Sequence, residues 1–200
     1  MKANFEEKRR LIVCLTGMPG AGKSTVASSL REKGFSVIAM GDVIREEARR
    51  RNLDPTDANL GDLMLKLRSD LGPGAIAHLI LKKINNEDGR SPRMGNIVVD
   101  GIRGIAEVDI LKRVGRVRLL AIHASTKRRF AHLKKRARSD DPAAVEDFMT
   151  RDKRELVVGI SEAIALADET LSNNDLSIDE LKEKAFTIIK NWLDSGYAKE

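Results

Sequence analysis

A glycine-rich segment near the start of the chain limits its fold more than any other feature. The run Gly17-Met-Pro-Gly-Ala-Gly-Lys-Ser24 fits the pattern G-x-x-x-x-G-K-[ST], in which backbone N–H groups surround phosphate oxygens. Apolar residues at 11–15 predict a buried strand before it, and the apolar spacing of 24–33 predicts a helix after it. Because a helix start attracts anions, this strand, loop and helix predict a site for a nucleoside triphosphate.

The loop and the strand at 96–100 supply the expected phosphate and metal contacts. Lys23 would reach the β- and γ-phosphates, and the Ser24 hydroxyl would bind Mg²⁺. Asp100 follows the apolar strand residues Ile97-Val-Val99, where a second Mg²⁺ carboxylate belongs in this class of fold. The alternative for Asp100 is an ordinary aspartate in a turn. The residues expected at the nucleotide are Gly17, Met18, Pro19, Gly20, Ala21, Gly22, Lys23, Ser24 and Thr25.

Composition narrows the class of protein further. The 200 residues are 42% hydrophobic and 33% charged, which suits one globular domain. We expect a cytoplasmic protein without a membrane segment, because no apolar run approaches about 20 residues and the first residues lack a signal-peptide pattern. A single cysteine, Cys14, cannot form an internal disulfide and is expected to pack as a small hydrophobe. The net charge of +6 favours anionic partners.

The order of apolar patterns predicts an α/β fold. Strands are expected at 11–16, 36–40, 96–100, 117–123 and 169–173, separated by helical patterns that imply a mostly parallel five-stranded sheet. Helices are expected at 42–52, 57–71 and 74–84, followed by an exposed loop at 85–92, and again at 125–138, 142–166 and 178–193. Ser177 and Glu180 have the spacing of a capping box for the last helix.

Two motifs at strand ends resemble adenylate kinase and the related nucleoside monophosphate kinases. They are Gly41-Asp-Val-Ile-Arg45 after the second strand and Asp100-Gly-Ile-Arg103 after the third. The resemblance implies that Arg45 and Arg103 hold the phosphate of the acceptor. Arg138-Ser-Asp-Asp141, with Arg151 on the next helix, resembles the lid motif of these kinases, whose arginines close over the transferring phosphoryl group.

A wider resemblance covers about 11–181. The chain is similar to dephospho-CoA kinase and, more closely, to an uncharacterised archaeal family of adenylate-kinase-related P-loop proteins. Segments such as Met40-Gly-Asp-Val-Ile-Arg-Glu-Glu47 and Ala167-Asp-Glu-Thr-Leu-Ser-Asn-Asn174 carry it. It implies a three-layer P-loop NTPase forming one kinase-like domain over 1–200. The core would comprise 10–40, 93–135 and 155–195, with an acceptor-binding helical insertion at 41–92 and a short lid region at 136–154.

The resulting expectation is a kinase that uses ATP and Mg²⁺. It would move the γ-phosphoryl group to a nucleotide-like acceptor, with Lys23, Arg103, Arg138 and Arg151 in the transfer and Asp42, Arg45 and Arg103 at the acceptor. Planar arginine donors suit this task because they neutralise phosphate charge bidentately. Asp42 has two possible roles, a helix cap or the base that a hydroxyl acceptor requires.

Three questions stay open at this stage. The acceptor could be a hydroxyl, as in dephospho-CoA kinase, or the chain could be an ATP-binding switch or slow ATPase that acts on a protein or RNA partner. His132 stands where nucleoside monophosphate kinases carry a base-stacking arginine, and it could stack or lie at the surface. The basic runs 49–51, 127–129 and 134–136 are expected to be solvated helix faces rather than a nucleic-acid site, since aromatic stacking residues are scarce.

Overall fold

The computed structural model describes residues 10–88 and 95–195. Within these ranges the strands are β1 (Leu11–Thr16), β2 (Ser36–Ala39), β3 (Ile97–Ile102), β4 (Arg116–His123) and β5 (Glu169–Ser172). The helices are α1 (Lys23–Glu32), α2 (Met40–Arg50), α3 (Asp57–Leu71), α4 (Ala75–Asp88), α5 (Ile105–Leu111), α6 (Thr126–Arg136), α7 (Val145–Val157), α8 (Ile160–Ala165) and α9 (Ile178–Ser195). None of these helices is long and apolar enough to cross a membrane.

The strands form one sheet in the order β2-β3-β1-β4-β5, and every pairing is parallel. Parallel neighbours need crossover connections, which place helices on both faces of the sheet. The predicted α/β fold with three layers is therefore confirmed. Because β1 lies in the centre, the loop that follows it opens at the carboxyl edge of the sheet, where ligands bind in folds of this kind.

Alternate residues of β1 pack into two different hydrophobic clusters. Ile12 and Cys14 join the cluster that includes residues of α2, α3, α4, α5 and α8. Leu11, Val13 and Leu15 join the cluster that includes residues of α1 and α9. This alternation follows from the pleat of a strand that is buried on both faces. Burial also raises the pKa of the Cys14 thiol, so this free cysteine behaves as the expected small hydrophobe.

Two boundaries near the carboxyl edge differ from the sequence prediction. Met40 begins α2 instead of ending β2, because Met40, Ile44 and Ala48 are buried at helical spacing on one face. β3 continues past Asp100 to Ile102, and its register with β1 shifts between Leu15 and Thr16. Asp100 therefore lies within a strand that has a local irregularity, rather than at its end.

Two helical boundaries also differ. The predicted exposed loop at 85–92 is helical through Asp88, since no helix-breaking residue occurs before Gly89, and 89–92 lie outside the described residues. The predicted single helix at 142–166 is two helices, α7 and α8. Gly159 separates them with a φ of +101°, a conformation that ends a helix and that glycine adopts readily.

The last helix begins as the sequence predicts. The backbone N–H of Glu180 donates to the Ser177 hydroxyl at 3.3 Å, and the Ser177 N–H donates to the Glu180 carboxylate at 2.8 Å. These reciprocal bonds form the expected capping box. They also hold the pKa of Glu180 below its usual value. The cap fixes the start of α9 beside the glycine loop, because Leu181 lies against Gly22.

Candidate functional site

The glycine loop between β1 and α1 depends on glycine at three positions. Gly17, Gly20 and Gly22 have φ values of +135°, +81° and +114°. A Cβ atom on Gly17 would lie 2.1 Å from the carbonyl oxygen of Ile122 in β4, and one on Gly20 would lie 2.5 Å from that of Arg129 in α6. These positions therefore require glycine for two reasons: the backbone has a positive φ, and at Gly17 and Gly20 the neighbouring backbone of β4 and α6 leaves no room for a Cβ atom.

Two buried side chains that the sequence analysis did not assign to the site hold the loop from outside. Arg129 donates from Nη1 to the Pro19 carbonyl at 3.1 Å and to Asp152 Oδ1 at 2.8 Å. Asn173, just after β5, donates from Nδ2 to the Ala21 carbonyl at 2.9 Å. Arg129 had been assigned to a solvated helix face, and that expectation is wrong because the side chain is buried. No sequence signal links Arg129 to Asp152 or Asn173 to Ala21, since these contacts exist only in the folded chain.

Lys23 lies in the first turn of α1, and its side chain folds back over the loop. Nζ donates to the carbonyls of Gly17 at 2.6 Å and Met18 at 3.2 Å. Burial lowers the pKa of Lys23 to about 8, although Asp100 acts in the opposite direction. The ammonium group is thus weakly solvated and lies against the glycine loop, where a phosphate-binding lysine is needed.

Asp100 and Ser24 are brought together beside the loop, and their chemistry fits a magnesium ion. Asp100 is buried, and its Oδ1 has no hydrogen-bond partner among the described residues. Burial raises the pKa of Asp100, while Lys23, Arg103 and the Ser24 hydroxyl oppose that rise. A hydroxyl and a carboxylate oxygen are ligands that Mg²⁺ accepts alongside phosphate oxygens and water. No group of three or more His, Cys, Asp or Glu side chains in the described ranges could hold a metal alone.

One large cavity connects the glycine loop with the candidate acceptor residues. It has a volume of about 730 Å³ and is partly open to solvent. The cavity is lined by all the residues predicted to contact the nucleotide, the acceptor or the metal, and by both predicted lid arginines, with the exceptions of Met18 and Ala21. Ala21 is fully buried instead, and the Met18 carbonyl accepts from Lys23. The fold therefore places the glycine loop and the arginines around one space.

Arg103 follows β3 and is held by a carboxylate from α7. Its Nε donates to Glu155 Oε2 at 2.7 Å and its Nη2 to Glu155 Oε1 at 3.3 Å, while Nη1 donates to the Gly101 carbonyl at 3.0 Å. Burial alone would lower the pKa of Arg103, but Glu155 outweighs it and the pKa is raised. Glu155 was not singled out from the sequence as a site residue, because it lies 52 positions from Arg103.

Arg45 and Asp42 lie on the first turns of α2 and contact each other. Arg45 donates from Nη1 to Asp42 Oδ1 at 2.7 Å and from Nη2 to Asp140 Oδ2 at 2.8 Å. Asp42 is not the helix cap, because that position belongs to Ala39, which makes no side-chain cap bond. The Asp42 side chain is 71% exposed, and the residue lines the cavity. Of its two expected roles, the cap is wrong and the base stays a prediction.

The two candidate lid arginines have different surroundings. Arg138 is exposed, lines the cavity and makes no side-chain hydrogen bond or ion pair with any described residue; its backbone N–H donates to Asp141 at 3.0 Å. Arg151 is buried, donates to the Asp140 carbonyl at 2.7 Å and lies 3.5 Å from an oxygen of Asp57. Arg138 is therefore available to a ligand directly, whereas Arg151 also connects α7 to the loop that holds Asp140 and to α3.

His132 lies against the glycine loop. Its Nδ1 is 2.9 Å from the Gly20 carbonyl oxygen, and the residue lines the cavity while remaining exposed. The ring is thus close enough to the loop to contact a bound nucleotide, and stacking on the base stays a prediction. Its neighbour on α6, Arg136, has a raised pKa because Asp141 binds it bidentately, so Arg136 is not a free surface cation.

Comparison with known proteins identifies the family. A family model described as an AAA domain matches residues 16–148. A UPF0200 protein of Pyrococcus horikoshii is 43% identical over 189 residues, covering 91% of this chain and 100% of that protein. One from Methanocaldococcus jannaschii is 40% identical over 185 residues, covering 92% and 88% respectively. The chain therefore belongs to the UPF0200 family, and the expected archaeal family relationship is confirmed.

Solved structures confirm the fold. A Thermus thermophilus protein superposes with a TM-score of 0.61 at 19% identity, covering 93% of this chain and 99% of that one. Shikimate kinase from Acinetobacter baumannii, in complex with shikimate, gives 0.56 at 16% identity, covering 94% and 96%. At these identities the likeness concerns the fold alone, which this chain shares with shikimate kinase.

Proposed function

We propose that this UPF0200 protein is a phosphotransferase that moves the γ-phosphoryl group of ATP to a small nucleotide-like acceptor. The observation that carries the proposal is one continuous cavity of about 730 Å³, which is lined by the glycine loop and by Arg45, Arg103, Arg138 and Arg151. A protein that only bound ATP would not need these arginines in addition to the glycine loop, which already binds the triphosphate. Two anionic substrates side by side would need them, because their like charges repel.

The chain's own residues divide the work. Lys23 and the N–H groups of the loop bind the β- and γ-phosphates of the donor. Ser24 and Asp100 would hold Mg²⁺, which supplies positive charge to the phosphate oxygens when bound. An acceptor oxygen forms the new bond to the γ-phosphorus as the bond to the bridging β,γ-oxygen breaks and ADP leaves. Arg138, without an ion pair among the described residues, would stabilise the charge on the transferring group.

We assign the acceptor to the insertion at 41–92 and the closing movement to the lid region at 136–154. These two regions contact each other through ion pairs. Arg154 Nη2 lies 2.8 Å from an oxygen of Asp57, and Arg45 Nη2 lies 2.8 Å from Asp140. Such contacts support a lid that can exclude water from the transfer, which protects the phosphoryl group from hydrolysis.

ADP formation across a panel of acceptors tests the proposal. Purified protein with Mg²⁺ and ATP would be given nucleoside monophosphates, deoxymonophosphates, nucleosides and dephospho-CoA, and the products identified by mass. Lys23→Ala should abolish acceptor-dependent ADP formation, whereas Lys66→Ala, at an exposed lysine of α3 outside the cavity, should not. Phosphate release that no acceptor stimulates would refute the transferase and favour an ATP-driven switch.

A hydroxyl acceptor is a second candidate, favoured by one specific observation. Arg45 and Arg103 already have carboxylate partners, and the exposed Asp42 carboxylate lies on the same cavity. An alcohol needs a base to take its proton, whereas an acceptor phosphate is already a nucleophile at neutral pH. Asp42→Asn should therefore abolish transfer to a hydroxyl and leave transfer to a phosphate partly active. Full activity on both would show that Asp42 takes no part in the chemistry.

A further inference from the structure

Glu155 is a buried carboxylate at the wall of the cavity, where it binds the side chain of Arg103. Its side chain is 3% exposed, and Arg103 is its only hydrogen-bond partner among the described residues. Both carboxylate oxygens are used, at 2.7 Å to Nε and 3.3 Å to Nη2. We infer that Glu155 is a positioning residue, which fixes the guanidinium of Arg103 so that its remaining donors meet an oxyanion on the acceptor side of the cavity.

The donor inventory of Arg103 supports this inference. A guanidinium has five N–H groups, and three of them are used by Glu155 and the Gly101 carbonyl. The unused N–H groups belong to Nη1 and Nη2. The side chain is 19% exposed and lines the cavity, so a ligand can reach it. An arginine held on one edge loses less conformational entropy when an anion binds its other edge.

The buried ion pair of Arg103 and Glu155 is expected to add little to the stability of the fold, so its presence indicates another role. Removing two charges from water offsets most of the attraction between them, and apolar residues often replace a buried ion pair without loss of stability. Glu155 nevertheless remains ionised at neutral pH. Its burial alone would raise its pKa, but Arg103 outweighs burial and the pKa is lowered.

Glu155 also shares a face of α7 with Arg151, four residues earlier, and both line the cavity. A movement of α7 would therefore carry the carboxylate that orients Arg103. The backbone N–H of Arg103 is fixed independently, since it donates to Glu107 Oε2 at 2.8 Å. Only the guanidinium, and not the strand end, depends on Glu155.

Glu107 provides a matched control. It is fully buried and ion-paired like Glu155, but with Arg68, and it contacts Arg103 through the backbone alone. Glu107→Gln thus also removes a buried negative charge next to an arginine. A merely structural loss would appear in both variants, whereas a loss of guanidinium orientation would appear only in Glu155→Gln.

The identification of the oxyanion as the acceptor's phosphate rests on the proposed function, so the test uses inorganic phosphate as the probe. The Nε–Hε signal of Arg103, assigned with Arg103→Lys in ¹⁵N-arginine-labelled protein, would be followed by NMR during titration. The wild-type signal should exchange slowly with water and shift with phosphate. Phosphate affinity should fall about tenfold in Glu155→Gln, as for loss of one charge-assisted bond, and stay unchanged in Glu107→Gln. Glu155→Asp should retain part of the affinity.

The outcomes separate the two claims. Wild-type phosphate affinity in Glu155→Gln, equal losses in both variants, or a wild-type signal that ignores phosphate would each overturn the inference. If Glu155→Gln does not fold, Glu155→Asp decides by the same criteria. A wild-type protein that binds phosphate at Arg103 but forms no ADP with any acceptor would refute the transferase and leave the role of Glu155 standing. Where an acceptor is found, Glu155→Gln should raise its KM and leave the KM for ATP unchanged.

Discussion

Replacing Gly17 with alanine should weaken ATP binding about 100-fold, and Gly34→Ala is its matched control. Both glycines have positive φ, at +135° and +88°, so both substitutions strain the backbone. A Cβ on Gly34 meets nothing within 4 Å, whereas one on Gly17 would lie 2.1 Å from the Ile122 carbonyl oxygen. Both variants thus place an alanine at a positive φ, but only Gly17→Ala also brings a Cβ atom into overlap with the backbone of β4.

The magnitudes follow from this difference. An L-residue in a left-handed conformation costs about 1–2 kcal/mol, so Gly34→Ala should lower Tm by about 2–8 °C in a chain of this size. Gly17→Ala adds an overlap with backbone, which no rotamer can relieve and which costs about 1–3 kcal/mol more. Real Cβ atoms essentially never approach closer than 3.0 Å, so the loop must move by roughly 1 Å. A displacement of that size weakens positioned contacts by about 100-fold.

Calorimetric titration with MgATP and thermal unfolding of both variants provide the assay. Gly34→Ala should bind ATP as the wild type does, with a modest loss of Tm. Gly17→Ala should bind about 100-fold more weakly, because its phosphate-binding N–H groups are displaced. Wild-type affinity in Gly17→Ala, or an equal loss of affinity in Gly34→Ala, would refute the claim that the fit against β4 shapes the loop.

Three further predictions concern charged groups of the cavity. In titration calorimetry, ATP affinity should fall as pH rises through about 8, where Lys23 loses its proton, and Lys23→Arg should remove that dependence. Asp100→Asn should raise the Tm of the nucleotide-free protein at neutral pH. The reason is that burial raises the pKa of Asp100, so the ionised carboxylate destabilises the fold. The same variant should lose the part of its ATP affinity that depends on Mg²⁺. Arg138→Ala should leave stability within about 0.5 kcal/mol but slow acceptor-dependent ADP formation on the order of 10³-fold, whereas Arg136→Ala should lower Tm by removing the bond to Asp141.

The sequence predicted correctly those parts of the fold that depend on residues close to one another in the chain. Residues 11–15 of the first strand are a continuous apolar run, and the glycine pattern begins one residue after the strand's last position, Thr16, so the apolar pattern and the spacing were sufficient. The Ser177 cap was equally local. Met40 was placed in a strand because its apolar side chain fits either pattern, and only its burial with Ile44 and Ala48 assigns it to α2.

The site was predicted less completely, because its supports are distant in sequence. Arg129 holds Pro19 across 110 positions, and Glu155 holds Arg103 across 52. No spacing in a single sequence encodes such pairs. The arginines that a motif marks could be named, but which of them have carboxylate partners could be learned only from the folded chain.

Those partners determine which arginine can change its contacts when an anionic acceptor binds. Arg45 is paired both with Asp42, whose side chain is 71% exposed, and with Asp140, which is buried. An exposed ion pair is worth about 0–1 kcal/mol, so a phosphate can displace Asp42 with little opposition. Breaking the buried pair of Arg103 with Glu155 would cost several kcal/mol. Under the proposed function we therefore expect Arg45 to exchange a carboxylate for the acceptor, and Arg103 to keep its partner and receive the acceptor in a fixed orientation.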